Sequence, residues 1–188
     1  MKAICILGSP RPNGNTAAIA SAVLRGLSAR GAQTSLVRLD DQSIAYCRGC
    51  KACYQTGGCV QDDDVKLIAA EMFSADLVII ASPSYWGDVT AQMKTFIDRC
   101  TPYCNTNGAK LPVTTAAKGA AIAVRAGKSK QENQDLVHMI GHFLGHLEIP
   151  LIASFTAEGV DTQEDLSRQP HILEQAYTFG EQLAGKLC

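Results

Sequence analysis

The stretch Lys2-Ala3-Ile4-Cys5-Ile6-Leu7-Gly8-Ser9-Pro10-Arg11-Pro12-Asn13-Gly14-Asn15-Thr16 decides the fold. Its first part, residues 2–7, is a short apolar run that stops at Gly8 and reads as a buried strand. A polar loop follows, and residues 16–29 then show helical periodicity, with Ile19, Val23, Leu24 and Leu27 on one side. A strand that is apolar throughout, rather than alternating, needs cover on both faces, as in a parallel sheet. Outward from this unit, strand and helix patterns keep alternating. Strands are expected at 34–39, 76–81, 119–124 and 150–155, and helices at 65–73, 90–99, 131–146 and 171–187. Together they predict a doubly wound, three-layer α/β fold with a five-stranded parallel sheet, in a single domain over residues 1–188. Ligands of such folds bind beyond the carboxyl ends of the strands, so the loops after Leu7, Leu39, Ala81, Val124 and Phe155 carry the function.

Composition narrows the class of function. The 188 residues are 46% hydrophobic and 19% charged, with net charge −1, which fits a folded protein and no long disordered tract. Near-neutral charge argues against nucleic acid, which calls for a basic excess, and against docking as a strongly acidic carrier. The apolar run at 3–7 is too short for a signal-peptide core, and no run of about 18 apolar residues exists to span a membrane. A cytoplasmic, reducing location is expected, where clustered cysteines, among the eight present, serve metal or redox chemistry rather than standing disulfides.

The loop after the first strand is built for an anion. Unpaired N–H groups and the positive dipole end of a helix attract phosphate. Ser9, Asn13, Asn15 and Thr16 add short donors, and Arg11 adds a cation. Two glycines, Gly8 and Gly14, do not make a dinucleotide fingerprint, and Gly14-Asn15-Thr16 is not the end of a P-loop. After the third strand comes Ser82-Pro83-Ser84-Tyr85-Trp86-Gly87-Asp88, with the chain's one Trp beside a Tyr. Two adjacent large aromatics in a turn suit a planar ligand, and Gly87 lets backbone approach it. After the fourth strand stands Arg125-Ala126-Gly127.

With Lys94-Thr95-Phe96-Ile97-Asp98-Arg99, these motifs resemble the flavodoxin-like NAD(P)H-dependent FMN reductases, and within that group the iron–sulfur flavoproteins. The likeness runs over about residues 1–130. It implies non-covalent FMN, its phosphate on Ser9, Arg11, Asn13, Asn15 and Thr16, and its ring against Pro83, Ser84, Tyr85, Trp86, Gly87 and Asp88, with Arg125 and Gly127 beside it. It further implies NAD(P)H as electron donor and a homodimer or homotetramer. The acceptor would be a small molecule (a quinone, a nitro or azo compound, free flavin or a metal ion). The alternatives are an electron carrier exchanging with ferredoxin and a cysteine-based redox sensor.

Cysteines cluster in the loop 47–59 as Cys47-x2-Cys50-x2-Cys53-x5-Cys59. Three readings stay open at this point: thiolates of a [4Fe-4S] cluster, free redox-active thiols, or a four-thiolate zinc site. Cys5, Cys100, Cys104 and Cys188 carry no evident role. His138, His142 and His146 lie opposite the apolar side of their helix and are expected at a solvent or subunit face rather than on metal. Asp62-Asp63-Asp64 is expected to cap the helix that follows rather than hold Mg²⁺. No nucleophile elbow or zinc-protease motif supports hydrolysis.

Overall fold

The computed structural model describes residues 1–110 and 115–187; Cys188 lies outside them. Five strands, β1 (Lys2–Leu7), β2 (Gln33–Arg38), β3 (Leu77–Pro83), β4 (Lys118–Val124) and β5 (Leu151–Ala157), form one sheet in the order β2-β1-β3-β4-β5. Every neighbouring pair is parallel. The helices are α1 (Asn15–Ala29), α2 (Cys53–Thr56), α3 (Val65–Ser74), α4 (Ala91–Arg99), α5 (Lys130–His146), α6 (Gln163–Ser167) and α7 (His171–Gly185). The doubly wound α/β architecture expected from the alternating pattern is therefore present.

Successive strand residues point to opposite faces, and both faces are covered. Ala3, Cys5 and Leu7 of β1 pack with α1 and α7, whereas Ile4 and Ile6 pack with α3, α4 and α5. Chain order reverses at β1: β2 lies to one side and β3 to the other. The crevice at their carboxyl ends is the topological switch point at which such sheets bind ligands. β3 and β5 each run two residues further than the apolar pattern indicates, because Ser82 and Pro83 pair with Ala123 and Val124, and Thr156 and Ala157 with the same two residues. The extra pairs bring polar and proline residues to the rim of the crevice.

α1 and α7 cross with almost no space between them. A Cβ on Gly26 would lie 2.0 Å from the Tyr177 carbonyl oxygen, and one on Gly180 would lie 2.1 Å from that of Val23. The obstacle is backbone on both sides, so side-chain repacking gives no relief. Gly26→Ala is expected to cost about 3 kcal/mol, the upper end of ordinary overpacking, read as a lowered denaturation midpoint in urea.

Two short helices, α2 and α6, are absent from the sequence expectation, since four or five residues show no period. α6 carries a local sign nonetheless. Thr162 Oγ1 accepts from the Asp165 N–H at 3.2 Å, and Asp165 Oδ2 accepts from the Thr162 N–H at 2.8 Å, a capping box. The aspartate triplet behaves differently from expectation. Asp64 stands at the N-cap of α3 without a side-chain cap bond, and its Oδ2 accepts instead from the Ser43 N–H at 2.6 Å. Asp63 accepts from the Val65 N–H at 3.3 Å, but it also holds Ala45 and, above all, the buried Arg99. These carboxylates tie a long loop to the body, a role that helix-start statistics do not reveal.

Candidate functional site

The first turn of α1 offers the N–H groups of Asn15, Thr16 and Ala17, which no carbonyl inside the helix can reach. Among the described residues none of the three has a partner, and neither a side-chain cap nor an acidic residue stands at that end. Ser9 and Thr16 are buried beside it. Ser9 Oγ accepts from the Arg11 N–H at 3.2 Å, and the Gly14 N–H donates to the Arg11 carbonyl at 3.1 Å, closing the loop into a cup. A Cβ on Gly14 would meet Arg11 Cβ at 2.9 Å, so the cup requires glycine there. Thr90 Oγ1 donates to the Gly8 carbonyl at 2.5 Å and accepts from the Met93 N–H at 3.3 Å, fixing the base of the loop to the start of α4.

Asn15 holds the loop after β5. Its Nδ2 donates to the Val160 carbonyl at 3.0 Å and to that of Thr162 at 2.9 Å. Both amide protons are thereby engaged, and what Asn15 presents to an anion is its backbone N–H. Arg11 reaches the same loop, donating to the Asp161 carbonyl at 3.3 Å with its guanidinium half in solvent. The exposed Asn13 accepts from Gln163 Nε2 through its carbonyl at 2.7 Å and borders an adjoining hollow rather than the main cleft.

A cleft of about 450 Å³ opens over this cup, walled by Ser9, Arg11, Asn15, Thr16, Pro83, Ser84, Tyr85 and Arg125. The structure thus brings together residues chosen from three separate loops. It adds Gly14, Val124, Ala126, Val160 and Asp161, which the sequence reading did not single out. The last two come from the loop after β5, which topology marks but no motif does. Trp86 is placed outside the cleft. Tyr85 and Asp88 exchange backbone hydrogen bonds of 2.9 and 3.1 Å, and Trp86 and Gly87 form the tip between them with φ of 58° and 80°. A two-residue turn with both φ values positive is the preferred hairpin tip, and it turns Trp86 fully into solvent at 103% exposure. Trp at positive φ is strained. Gly87 and Asp88 stay at the tip, and only Tyr85 of the aromatic pair faces the cleft.

Arg125 is oriented from α5. Its guanidinium pairs with Glu132, which also accepts from Ser84 Oγ at 2.9 Å. Glu132 therefore couples the loops after β3 and β4, a function no sequence signal announces. Gly127 does not line the cleft. A Cβ there would meet the Arg125 guanidinium at 2.5 Å, so Gly127 makes room for the arginine.

The four loop cysteines line a second cavity, of about 330 Å³, together with Arg48, Lys51, Arg99 and Asp98. Burial pushes the Cys53 thiol up, and the sulfurs of Cys59, Cys47 and Cys50 push the same way, against a backbone hydrogen bond that pulls it down. All four are thus within electrostatic reach of one another. Among the described residues, no three Cys, His, Asp or Glu side chains stand close enough to share a single metal ion. Arg99 is the floor of this region. It is 2% exposed, bonds both Asp63 oxygens at 2.5 and 3.0 Å, and donates to the Ala45 carbonyl at 2.7 Å. Burial alone would raise the Asp63 pKa, but the Arg99 hydrogen bonds and charge hold it below the ordinary carboxylate value. Burial likewise opposes the Arg99 charge, and the Asp63 hydrogen bond and the nearby Cys59 outweigh it, raising the guanidinium pKa.

On α5, His138 and His142 are exposed, and Leu136, Ile140, Phe143 and Leu144 are buried, as the helical pattern indicates, whereas His146 at the helix end is half-buried against Cys104 and Asn105. No helix among the described residues is long and apolar enough to cross a membrane.

Comparison with known proteins shows the family and the fold. The NADPH-dependent FMN reductase family pattern matches residues 1–159. An iron–sulfur flavoprotein of Archaeoglobus fulgidus is 42% identical over 132 residues, 70% of this chain and 58% of that protein. The chain thus spans a little over half the length of that relative. One of Methanocaldococcus jannaschii is 36% identical over 147 residues, 78% of this chain and 73% of that one. Among solved structures, an NAD(P)H:quinone oxidoreductase from Methanothermobacter marburgensis superposes with a TM-score of 0.78 at 17% identity, over 97% of this chain and 96% of its own, a likeness of fold. Sequence match, relatives and architecture agree: the chain belongs to the NADPH-dependent FMN reductase family, and within it is similar to the iron–sulfur flavoproteins.

Proposed function

We propose that the protein is an FMN-dependent oxidoreductase that moves electrons from NAD(P)H to a small acceptor such as a quinone, a nitro or azo compound, free flavin or a metal ion. The observation that carries this reading is the convergence of three loops on one cleft at the switch point, with an unpaired helix start at its base. FMN held in this cleft would supply the hydride- and electron-transfer chemistry. The chain's own residues position and polarise. The N–H groups of Asn15, Thr16 and Ala17, with the Ser9 and Thr16 hydroxyls, would receive a phosphate, and Arg11 would screen its charge. Pro83 and Tyr85 would border a planar ring, and Arg125, steadied by Glu132, would stand as a cation beside it. Anaerobic addition of NADPH to the flavin-loaded protein should bleach the flavin's visible band within seconds. A band that stays unchanged with NADPH and NADH but is bleached by reduced ferredoxin would support the carrier alternative instead.

The cysteine cavity supports a second component, a [4Fe-4S] cluster on Cys47, Cys50, Cys53 and Cys59. The four cysteines line one cavity with Arg48, Lys51 and Arg99, whose positive charges would offset the negative charge of a thiolate-bound cluster. Protein purified without oxygen should contain about four iron and four acid-labile sulfide per chain, and Cys53→Ser should lose most of both. Iron-free protein with intact thiols under those conditions would favour the redox-sensor alternative.

A further inference from the structure

Cys104 differs from the other described cysteines outside 47–59. Cys5 and Cys100 are buried, and burial pushes the Cys5 thiol up to about 12 and that of Cys100 further in the same direction. Thiols held in that way are poor nucleophiles. Cys104 is only half-buried, and its Sγ lies 3.0 Å from Thr106 Oγ1 and 3.5 Å from His146 Nδ1. The turn that carries it is fixed by its own backbone. The Cys104 N–H donates to the Thr101 carbonyl at 3.2 Å, and the Asn105 N–H clamps onto the His146 carbonyl at 2.8 Å, at the end of α5.

His146 Nδ1 also lies 3.0 Å from Asn105 Oδ1. A Cys–His–Asn hydrolase sets thiol and amide on opposite nitrogens of the ring, so that one accepts a proton while the other is oriented. Here a single nitrogen faces both, which is a poor arrangement for repeated acyl transfer. With Asn105 Oδ1 as acceptor, the tautomer protonated on Nδ1 satisfies this contact, and that N–H also faces the sulfur. Beside the thiol, an open cavity of about 760 Å³ lies between α4 and α5, walled by Ile97, Met139, Phe143 and Leu147 along with His142.

We propose that Cys104 is a covalent capture site for apolar α,β-unsaturated carbonyl compounds, quinones among them, with their carbon skeleton seated in the α4–α5 cavity. The thiol proton leaves to water, and the sulfur electron pair forms the C–S bond at the β-carbon. The C=C π pair shifts to form the Cα=C bond of an enolate, the C=O π pair moves onto oxygen, and a proton from the His146 ring, replaced from water, neutralises it. The resulting enol exchanges its proton with water to gain one at the α-carbon (for a quinone, the ring proton is lost instead and the hydroquinone thioether forms), so S–H adds overall and no external oxidant or reductant takes part. The site is separate from the flavin cleft and does not depend on the oxidoreductase reading.

The test uses the full folded chain and two reagents with the same reactive group, N-phenylmaleimide and a carboxyalkyl maleimide. Rates at each cysteine are read by peptide mass spectrometry and divided by the rates with free glutathione. Cys100 and Cys104 share a tryptic peptide, so fragment ions must separate them. The phenyl reagent should be favoured over the charged one at Cys104 by about tenfold more than at glutathione. His146→Gln, with an unchanged circular dichroism spectrum, should slow Cys104 labelling about tenfold, a modest share of what a positioned proton donor contributes. A reagent ratio at Cys104 equal to that of glutathione overturns the proposal, and so does an unchanged rate in folded H146Q. The reagent comparison needs no variant and stands if H146Q fails to fold.

Discussion

Thr16→Asp should weaken FMN binding about 1,000-fold while leaving riboflavin binding and the apo fold nearly intact. Thr16 is the second residue of α1, buried at the base of the cleft, beside N–H groups without a partner among the described residues. A carboxylate in the first turn of a helix is favourable for the helix itself, because it faces the positive dipole end. The same carboxylate would occupy the position proposed for phosphate. Two like unit charges about 4 Å apart at an effective dielectric near 20 repel by about 4 kcal/mol, or three powers of ten in affinity. Riboflavin lacks the phosphate, so it reports on the ring site alone. Flavin fluorescence quenching gives both affinities, and a thermal melt of flavin-free protein checks the fold. Equal losses for FMN and riboflavin would mean general damage to the cleft, and an unchanged FMN affinity would place the phosphate elsewhere.

Why this position was readable from sequence, and others were not, follows from how far each signal reaches along the chain. β1, the polar loop and α1 are contiguous, so a strand, a cup of donors and a helix start can be read in one sweep, and the structure differs by one residue at the helix start. In sequence Asn15 reads as a phosphate donor, but its amide is engaged with Val160 and Thr162, about 145 residues away. Tyr85 and Trp86 read in sequence as two adjacent rings. Their separation into Tyr85 facing in and Trp86 facing out depends on the Tyr85–Asp88 bridge, which needs φ angles that composition does not supply. Glu132 acts through Arg125 and Ser84, and the Cys104–His146 pair joins a turn to a helix end 42 residues on. Each of these is a meeting of distant segments, and nothing in the local periodicity of either segment encodes the other.

Asp63→Asn should lower stability by about 3–5 kcal/mol, the cost of leaving a buried charge without its partner. For a chain of this size that is a fall of about 6–20 °C in Tm. The Arg99 side chain is 1% exposed, and its remaining bonds go to the carbonyls of Ala45 at 2.7 Å and Gln61 at 3.5 Å. Ala45 and Gln61 flank the cysteine loop on its two sides, so the ion pair also sets where the loop begins and ends. The acid response should change with it. Because the folded Asp63 pKa is depressed, its contribution is complete above the unfolded carboxylate pKa and is lost as pH falls through the folded value. D63N should accordingly show a flatter dependence of Tm on pH in the acid range. Stability and loop positioning can be separated with the double variant Asp63→Leu/Arg99→Met. Replacing a buried ion pair by apolar groups of similar volume is often neutral, so the double variant should recover most of the lost Tm. It still removes the donor to Ala45 and Gln61, so on the cluster reading it should contain little iron. Gly26→Ala, destabilised on the opposite face of the sheet, should keep its iron. A D63N protein that melts within about 1 kcal/mol of the parent would remove the buried-pair argument, and full iron content in the double variant would show that the loop holds its shape without Arg99.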